Sequence, residues 1–193
     1  ISSLDTNTKI QFNFDAGSDT LDQVQGHAFN SDGTKFFAVS KTENATQLNA
    51  HSLSRPYDLS SDITQIADDG IAWVTAFSAG DGSVLAQDIT FNNDGTKMYL
   101  FDAGHNSAGD GGVVEYNLST PYDTSTASFV NELVTTSVLS LFEQDVEFDD
   151  DGTRMYIIDS SNVNASTKIA VYKLSTPYHT STATFAGSIA NFF

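Results

Sequence analysis

Apolar and polar residues alternate over short runs in this chain, and no window holds a sustained helical period. In the middle of the chain, Gln87-Asp88-Ile89-Thr90-Phe91 alternates and leads to Asp94-Gly95, a hairpin signal. That dipeptide predicts a tight turn with positive φ at both central positions. Lys97-Met98-Tyr99-Leu100-Phe101 is apolar on both faces, as a strand held between two layers should be. A Gly/Asn/Ser-rich stretch from Asp102 to Gly111 reads as a loop. Then Val113-Val114-Glu115-Tyr116-Asn117-Leu118 alternates again, with Val114, Tyr116 and Leu118 on one face. Pro121 ends that strand, because proline cannot donate to a ladder. Ser128 to Leu133 supplies a fourth strand.

This unit recurs. Phe29-Asn30-Ser31-Asp32-Gly33-Thr34-Lys35 returns as Phe91-Asn92-Asn93-Asp94-Gly95-Thr96-Lys97 and as Phe148-Asp149-Asp150-Asp151-Gly152-Thr153-Arg154. A second phrase follows each copy: Leu53-Ser54-Arg55-Pro56-Tyr57, Leu118-Ser119-Thr120-Pro121-Tyr122 and Leu174-Ser175-Thr176-Pro177-Tyr178. Two phrases in fixed order at a period of about sixty residues mean one supersecondary unit in copies. The repeats cover roughly 21–70, 83–134 and 140–190 within a single domain, 1–193. Residues 4–15 read as an extra strand, the last of a preceding unit, because Asp5-Thr6-Asn7-Thr8 mimics Asp123-Thr124-Ser125-Thr126. Antiparallel repeats of four strands are the pattern of β-propeller blades, so the expected class is all-β. Three blades fall short of the four or more that close a ring. A longer polypeptide, several chains or a partner is therefore expected to complete the assembly.

The pattern Gln-Asp-[Ile/Val]-x-Phe-x-x-Asp-Gly-Thr-[Lys/Arg]-Met-Tyr, followed by Tyr-x-Leu-Ser-Thr-Pro-Tyr, resembles YVTN/PD40-type β-propeller repeats. More narrowly, it resembles a variant found in tailed-phage structural proteins and in surface proteins of marine bacteria. The resemblance implies a binding or scaffolding role in a virion or extracellular assembly, through protein–protein or receptor contact. The alternative it leaves is a carbohydrate-binding propeller of a secreted or surface adhesin. The first copy departs most, with Gly26-His27 where the others carry Asp88-Ile89 and Asp145-Val146.

Charge narrows the partners. The net charge is −17, with only eight Lys plus Arg, so nucleic acid and anionic membranes are disfavoured. No apolar run is long enough to span a membrane as a helix, and membrane insertion is not expected. There is no cysteine, hence no disulfide framework or thiolate metal site. An acidic surface rich in Ser, Thr and Asn suits a salty extracellular medium or a virion surface, although solubility alone accounts for it as well.

Candidate chemistry is sparse. Asp149-Asp150-Asp151-Gly152 could offer oxygen ligands to Ca²⁺, but it lacks the spacing of a calcium loop and reads better as a turn; otherwise no cofactor is expected. Asp102 with Asp110 is a weaker acidic pair. Gln25, Gln87 and Gln144 open the innermost strands, with Asp88 and Asp145 beside two of them. At the mouth of a propeller axis, Gln87, Asp88, Gln144 and Asp145 could bind a partner or ligand, or could tie blade to blade. An insertion of roughly nine residues between the first two repeats carries Trp73 and Phe77, an aromatic pair that could stack on a sugar or fill a protein pocket. The alternation at Ile71, Trp73 and Thr75 fits an inward-packed strand equally well. His27, His51, His105 and His179 fall at different blade positions. Asn44, Asn117 and Asn164 head Asn-x-Ser/Thr triplets that arise by chance in such a composition. With no nucleophile elbow, phosphate loop or metal motif, the sequence is read as that of a non-enzyme.

Overall fold

The computed structural model describes residues 23–41, 46–69, 86–102, 111–135, 143–159 and 168–190. The expected strand over 4–15, Trp73, Phe77, Asp110, His105, Asn44 and Asn164 lie outside these residues. The first repeat forms β1 (Gln23–Phe29), β2 (Lys35–Lys41), β3 (Thr46–Leu53) and β4 (Ile63–Asp69). The second forms β5 (Ala86–Phe91), β6 (Lys97–Asp102), β7 (Gly112–Leu118) and β8 (Ala127–Val134). The third forms β9 (Glu143–Phe148), β10 (Arg154–Asp159), β11 (Lys168–Leu174) and β12 (Ala183–Ala190). Each set is one four-stranded antiparallel sheet in sequence order, the expected blade.

The blades stack face to face. Phe37, Val39, Leu48 and Ala50 of the first meet Ile89, Met98, Leu100 and Val114 of the second. Tyr99, Phe101 and Val113 of the second meet Val146, Met155, Ile157 and Tyr172 of the third. Strand β6 is therefore sealed on both sides, and Met98, Tyr99, Leu100 and Phe101 are all fully buried. At about 1.5–3 kcal/mol per large apolar side chain, these seams are the main favourable term. Strands β1, β5 and β9 run side by side at the inner edge.

The hairpin turns differ from the tight form read from Asp-Gly. Asn30 N–H donates to the Lys35 carbonyl at 3.2 Å, and Gly33 N–H donates to the Asn30 carbonyl at 3.0 Å. The loop between the paired residues is thus 31–34. Only the glycine takes positive φ: 71° at Gly33, 71° at Gly95 and 68° at Gly152. The side chains explain the longer loop. Asp32 Oδ1 accepts from Thr34 N–H at 2.9 Å, and Asn30 Oδ1 accepts from Lys35 N–H at 2.8 Å. These local caps satisfy the turn's own donors.

The second phrase clasps the first, which is why the two travel together. Tyr57, Tyr122 and Tyr178 sit in the left-handed region, at φ of 57°, 54° and 61°. Each donates its backbone N–H to the turn glycine's carbonyl, at 2.8 Å, 2.9 Å and 2.9 Å. Each lays its ring on that glycine, and its hydroxyl donates back to the turn, as from Tyr122 to the Asn93 carbonyl at 3.1 Å. Left-handed backbone at a bulky residue costs on the order of 1–3 kcal/mol. The two hydrogen bonds and the ring contact offset that cost.

Candidate functional site

The inner strands carry a recurring irregularity. The ladder shifts between Val24 and Gly26, between Ala86 and Asp88, and at Asp145 opposite Ile158. The residue left over is Gln25, Gln87 and Gln144 in turn. The three glutamines noted in the sequence are therefore bulge residues, and a bulge re-aims the side chains around it. The next residue along the chain is Gly26, Asp88 and Asp145, respectively.

These positions meet at the seams. Asp88 is only 8% exposed, and its Oδ2 accepts the Val146 N–H of the next blade at 3.2 Å. Its carboxyl also hydrogen-bonds Asp145. Burial first, then that hydrogen bond, then the Asp145 charge push Asp88 up to about 8. Two carboxyls can hydrogen-bond only through a proton, so at neutral pH the Asp88 carboxyl keeps its proton at this seam. A second rung lies two residues on, where the Thr90 hydroxyl meets Glu147. Desolvation at the seam, with the Asp145 charge adding to it, raises Glu147 above the usual carboxylate range.

The first copy's departure has a steric cause. A Cβ on Gly26 would stand 2.4 Å from the Asp88 Cα and 2.6 Å from its Oδ1. Glycine lets β1 approach β5 more closely than an aspartate could.

An open cleft of about 640 Å³ lies at this inner edge. Asp88, Asp145 and Glu147 give it carboxyls; His27, Gln25, Thr90, Asn92 and Asn93 give it further polar groups. Phe29, Phe91 and Tyr122 give it aromatic walls. Phe91 is fixed by ring contacts to Phe37 at 4.7 Å and Tyr122 at 5.3 Å. Neither Lys nor Arg occurs among the described lining residues.

The structure thus brings Asp88 and Asp145 together, while Gln87 sits half-buried outside the cleft lining. Gln144 holds the bulge position of β9. Glu147 was missed by the sequence reading, although β-strand alternation from Asp145 places it on the same face. Two carboxyls of the acidic run 149–151 cap its turn. Asp149 Oδ1 accepts from Arg154 N–H at 2.9 Å, and Asp151 Oδ1 from Thr153 N–H at 3.0 Å. Among the described residues no group of three or more His, Asp or Glu could hold a metal ion.

A second polar seam ties the same two blades further out. Glu115, fully buried, accepts from Lys97 Nζ and from the Thr180 N–H and hydroxyl, both at 2.8 Å. His179 Nδ1 lies 3.5 Å away. The Tyr99 hydroxyl donates to the Tyr178 carbonyl at 2.6 Å. Where the first blade has Phe37 at that register, Lys35 Nζ instead donates to the Tyr122 carbonyl at 3.0 Å.

No protein-family model matches the chain. No curated protein matches it either. Solved structures do. A protein of Bacteroides uniformis, provisionally described as a 6-phosphogluconolactonase, is similar at 14% identity with a TM-score of 0.55, over 86% of this chain and 41% of its own. A Bacteroides fragilis protein with the same provisional description is similar at 15% identity with a TM-score of 0.53, over 91% of this chain and 44% of its own. The β-propeller domain of the Trilobed protease from Pyrococcus furiosus is similar at 11% identity with a TM-score of 0.42, over 88% of this chain and 43% of its own. The chain thus spans less than half the length of each. The reading of the sequence as a non-enzyme is corrected by the first two, since proteins described as enzymes share this blade arrangement. It rested on motifs alone, and a carboxyl pair assembled across two repeats leaves no linear motif. At such low identity the likeness carries the fold and no activity. Over the described residues the chain is all-β, a run of three four-stranded propeller blades.

Proposed function

We propose that the chain is a binding module of a virion or extracellular surface assembly, making receptor contact through its axial cleft with a neutral polyhydroxyl ligand such as a glycan. The observation that carries this reading is the lining: carboxyls, amides and hydroxyls beside Phe29, Phe91 and Tyr122, with no Lys or Arg among them. Such groups hydrogen-bond hydroxyls and stack on sugar rings. The same lining, in a chain of net charge −17, disfavours a phosphorylated ligand. The resemblance to phage and marine surface repeats supports the setting. The test is calorimetric titration with neutral oligosaccharides chosen from a glycan array. Binding should weaken in His27→Ala, a change at an exposed residue, and in Glu147→Gln, which keeps an oxygen for the Thr90 hydroxyl. Binding unchanged in both variants, or no neutral glycan bound at all, sinks the reading. Loss on Trp73→Ala alone would move the site to the insertion.

A second reading is favoured by the proton shared between Asp88 and Asp145. Two carboxyls that share a proton can in general activate water and protonate a leaving oxygen, the needs of hydrolysis. The substrate would be a neutral sugar-derived lactone or ester. Hydrolysis of such a lactone no faster than in buffer, or equally fast in Asp145→Asn, ends this reading.

A further inference from the structure

We propose that Lys97 and Asn117 are the two ends of an internal isopeptide bond, formed in the folded chain with Glu115 as the proton carrier. The inference concerns the outer part of the seam between the second and third blades and is independent of what occupies the cleft. The ladder sets Lys97 of β6 directly opposite Asn117 of β7, and Glu115 lies two residues before Asn117 on the same face. Lys97 Nζ donates to Asn117 Oδ1 at 3.0 Å and to Glu115 Oε1. A carboxamide and a carboxylate thus meet at one amine nitrogen. A carbonyl bond of about 1.23 Å puts the Asn117 Cγ within about 4.2 Å of that nitrogen. A small rotation of the Asn117 side chain closes this gap to the attack range of about 3–3.5 Å.

The surroundings suit acyl transfer. Glu115 is fully buried, and its Oε2 is held by the Thr180 N–H and hydroxyl of the third blade, both at 2.8 Å. That grip leaves Oε1 for Lys97. The Lys97 side chain is only 12% exposed, so little water competes for its nitrogen. Asn117 is exposed at the lip of the seam, which gives the leaving group a way out. In the reaction Glu115 takes a proton from the Lys97 ammonium, and the freed amine attacks the Asn117 Cγ. The Nζ–Cγ bond forms and the Cγ–Nδ2 bond breaks. The departing nitrogen gains one proton from Nζ and one from Glu115, and leaves as ammonium. No second reactant is consumed. Only the second blade is equipped for this step. At the registers of Lys97, Glu115 and Asn117 the first blade has Lys35, Ala50 and Ser52, and the third has Arg154, Val171 and Lys173. The bond would tie β6 to β7 covalently in a chain that has no cysteine.

The intact mass of the purified full chain, measured after denaturation, should fall below that of its sequence by one molecule of ammonia. After proteolysis, tandem mass spectrometry should recover the Lys97 and Asn117 peptides as one branched species. Lys97→Arg should restore the full mass, which separates the isopeptide from a succinimide formed by Asn117 alone. Soon after cell-free synthesis, Glu115→Gln, its sheets verified by circular dichroism, should hold a linked fraction lower by about a hundredfold, the worth of a lost proton carrier. A native chain of full mass, with Lys97 and Asn117 in separate unmodified peptides, overturns the proposal. A mass loss that survives Lys97→Arg does so too, as does linkage equally fast in folded Glu115→Gln.

Discussion

Replacing Asp88 by Asn tests the inner seam most directly. Asparagine keeps an oxygen for the Val146 N–H and an N–H₂ for Asp145, so the hydrogen bonds survive and only the titration is removed. In the native protein the folded-state value stands near 8, against an ordinary 3.8. Between those values the folded chain holds a proton that the unfolded chain has lost. Stability is therefore greatest below about pH 4 for this group, and falls as pH rises toward 8. At about 1.4 kcal/mol per pH unit, the full interval sets a ceiling of about 6 kcal/mol. That is comparable to the whole stability of many domains, about 5–15 kcal/mol. Urea unfolding, followed by circular dichroism from pH 4 to pH 9, measures it. Asp88→Asn should match the native chain near pH 4 and exceed it by several kcal/mol near pH 8. Glu147 is raised by the same environment, so the comparison is repeated with Glu147→Gln in both backgrounds. A native curve that is flat across this interval, or an Asp88→Asn curve parallel to it, would falsify the shared-proton assignment.

Two further substitutions probe the seams and the clasp. Glu115→Ala leaves the Lys97 ammonium and the Thr180 N–H facing a cavity in a sealed seam, and should cost about 3–5 kcal/mol in urea unfolding. Gly95→Ala would place a Cβ 2.2 Å from the Tyr122 ring at a φ of +71°, and should cost on the order of 2–4 kcal/mol. Gly187→Ala, also at positive φ but with open space around it, is the control and should cost less.

The blade was legible because its signals are local. Alternation, Asp-Gly and Pro-Tyr each report on a few neighbouring residues, and three copies average out noise. The burial of β6 on both faces was visible in Met98 to Phe101 for the same reason. The turn geometry was not, because Asp32, Asp94 and Asp151 serve as side-chain caps rather than as residues of a tight turn. The clasp of Tyr122 on Gly95 was hidden by the distance between them in sequence, although the constant pairing of the two phrases was its trace. The acid pair was half legible. Asp88 and Asp145 stood out as polar residues at an inner strand, yet nothing in one repeat says that its aspartate will face the next repeat's aspartate at hydrogen-bond range.

That failure points to where the chemistry lies. Residues common to all copies build the blade: the turn glycine, the left-handed tyrosine, the bulge glutamine. Residues that differ between copies build the seams. At one register stand Ala50, Glu115 and Val171, and at another Gly26, Asp88 and Asp145. Even where two seams meet the same need, they meet it differently: Lys35 satisfies one tyrosine carbonyl and Tyr99 the next. A repeat fold is free to vary at the seam because the clasp fixes each blade from within. The proton shared by Asp88 and Asp145, the close approach at Gly26 and the buried charge of Glu115 all sit at such departures. In this chain the repeated residues therefore specify the architecture, and the residues that differ at the seams set the charge and shape of its inner edge.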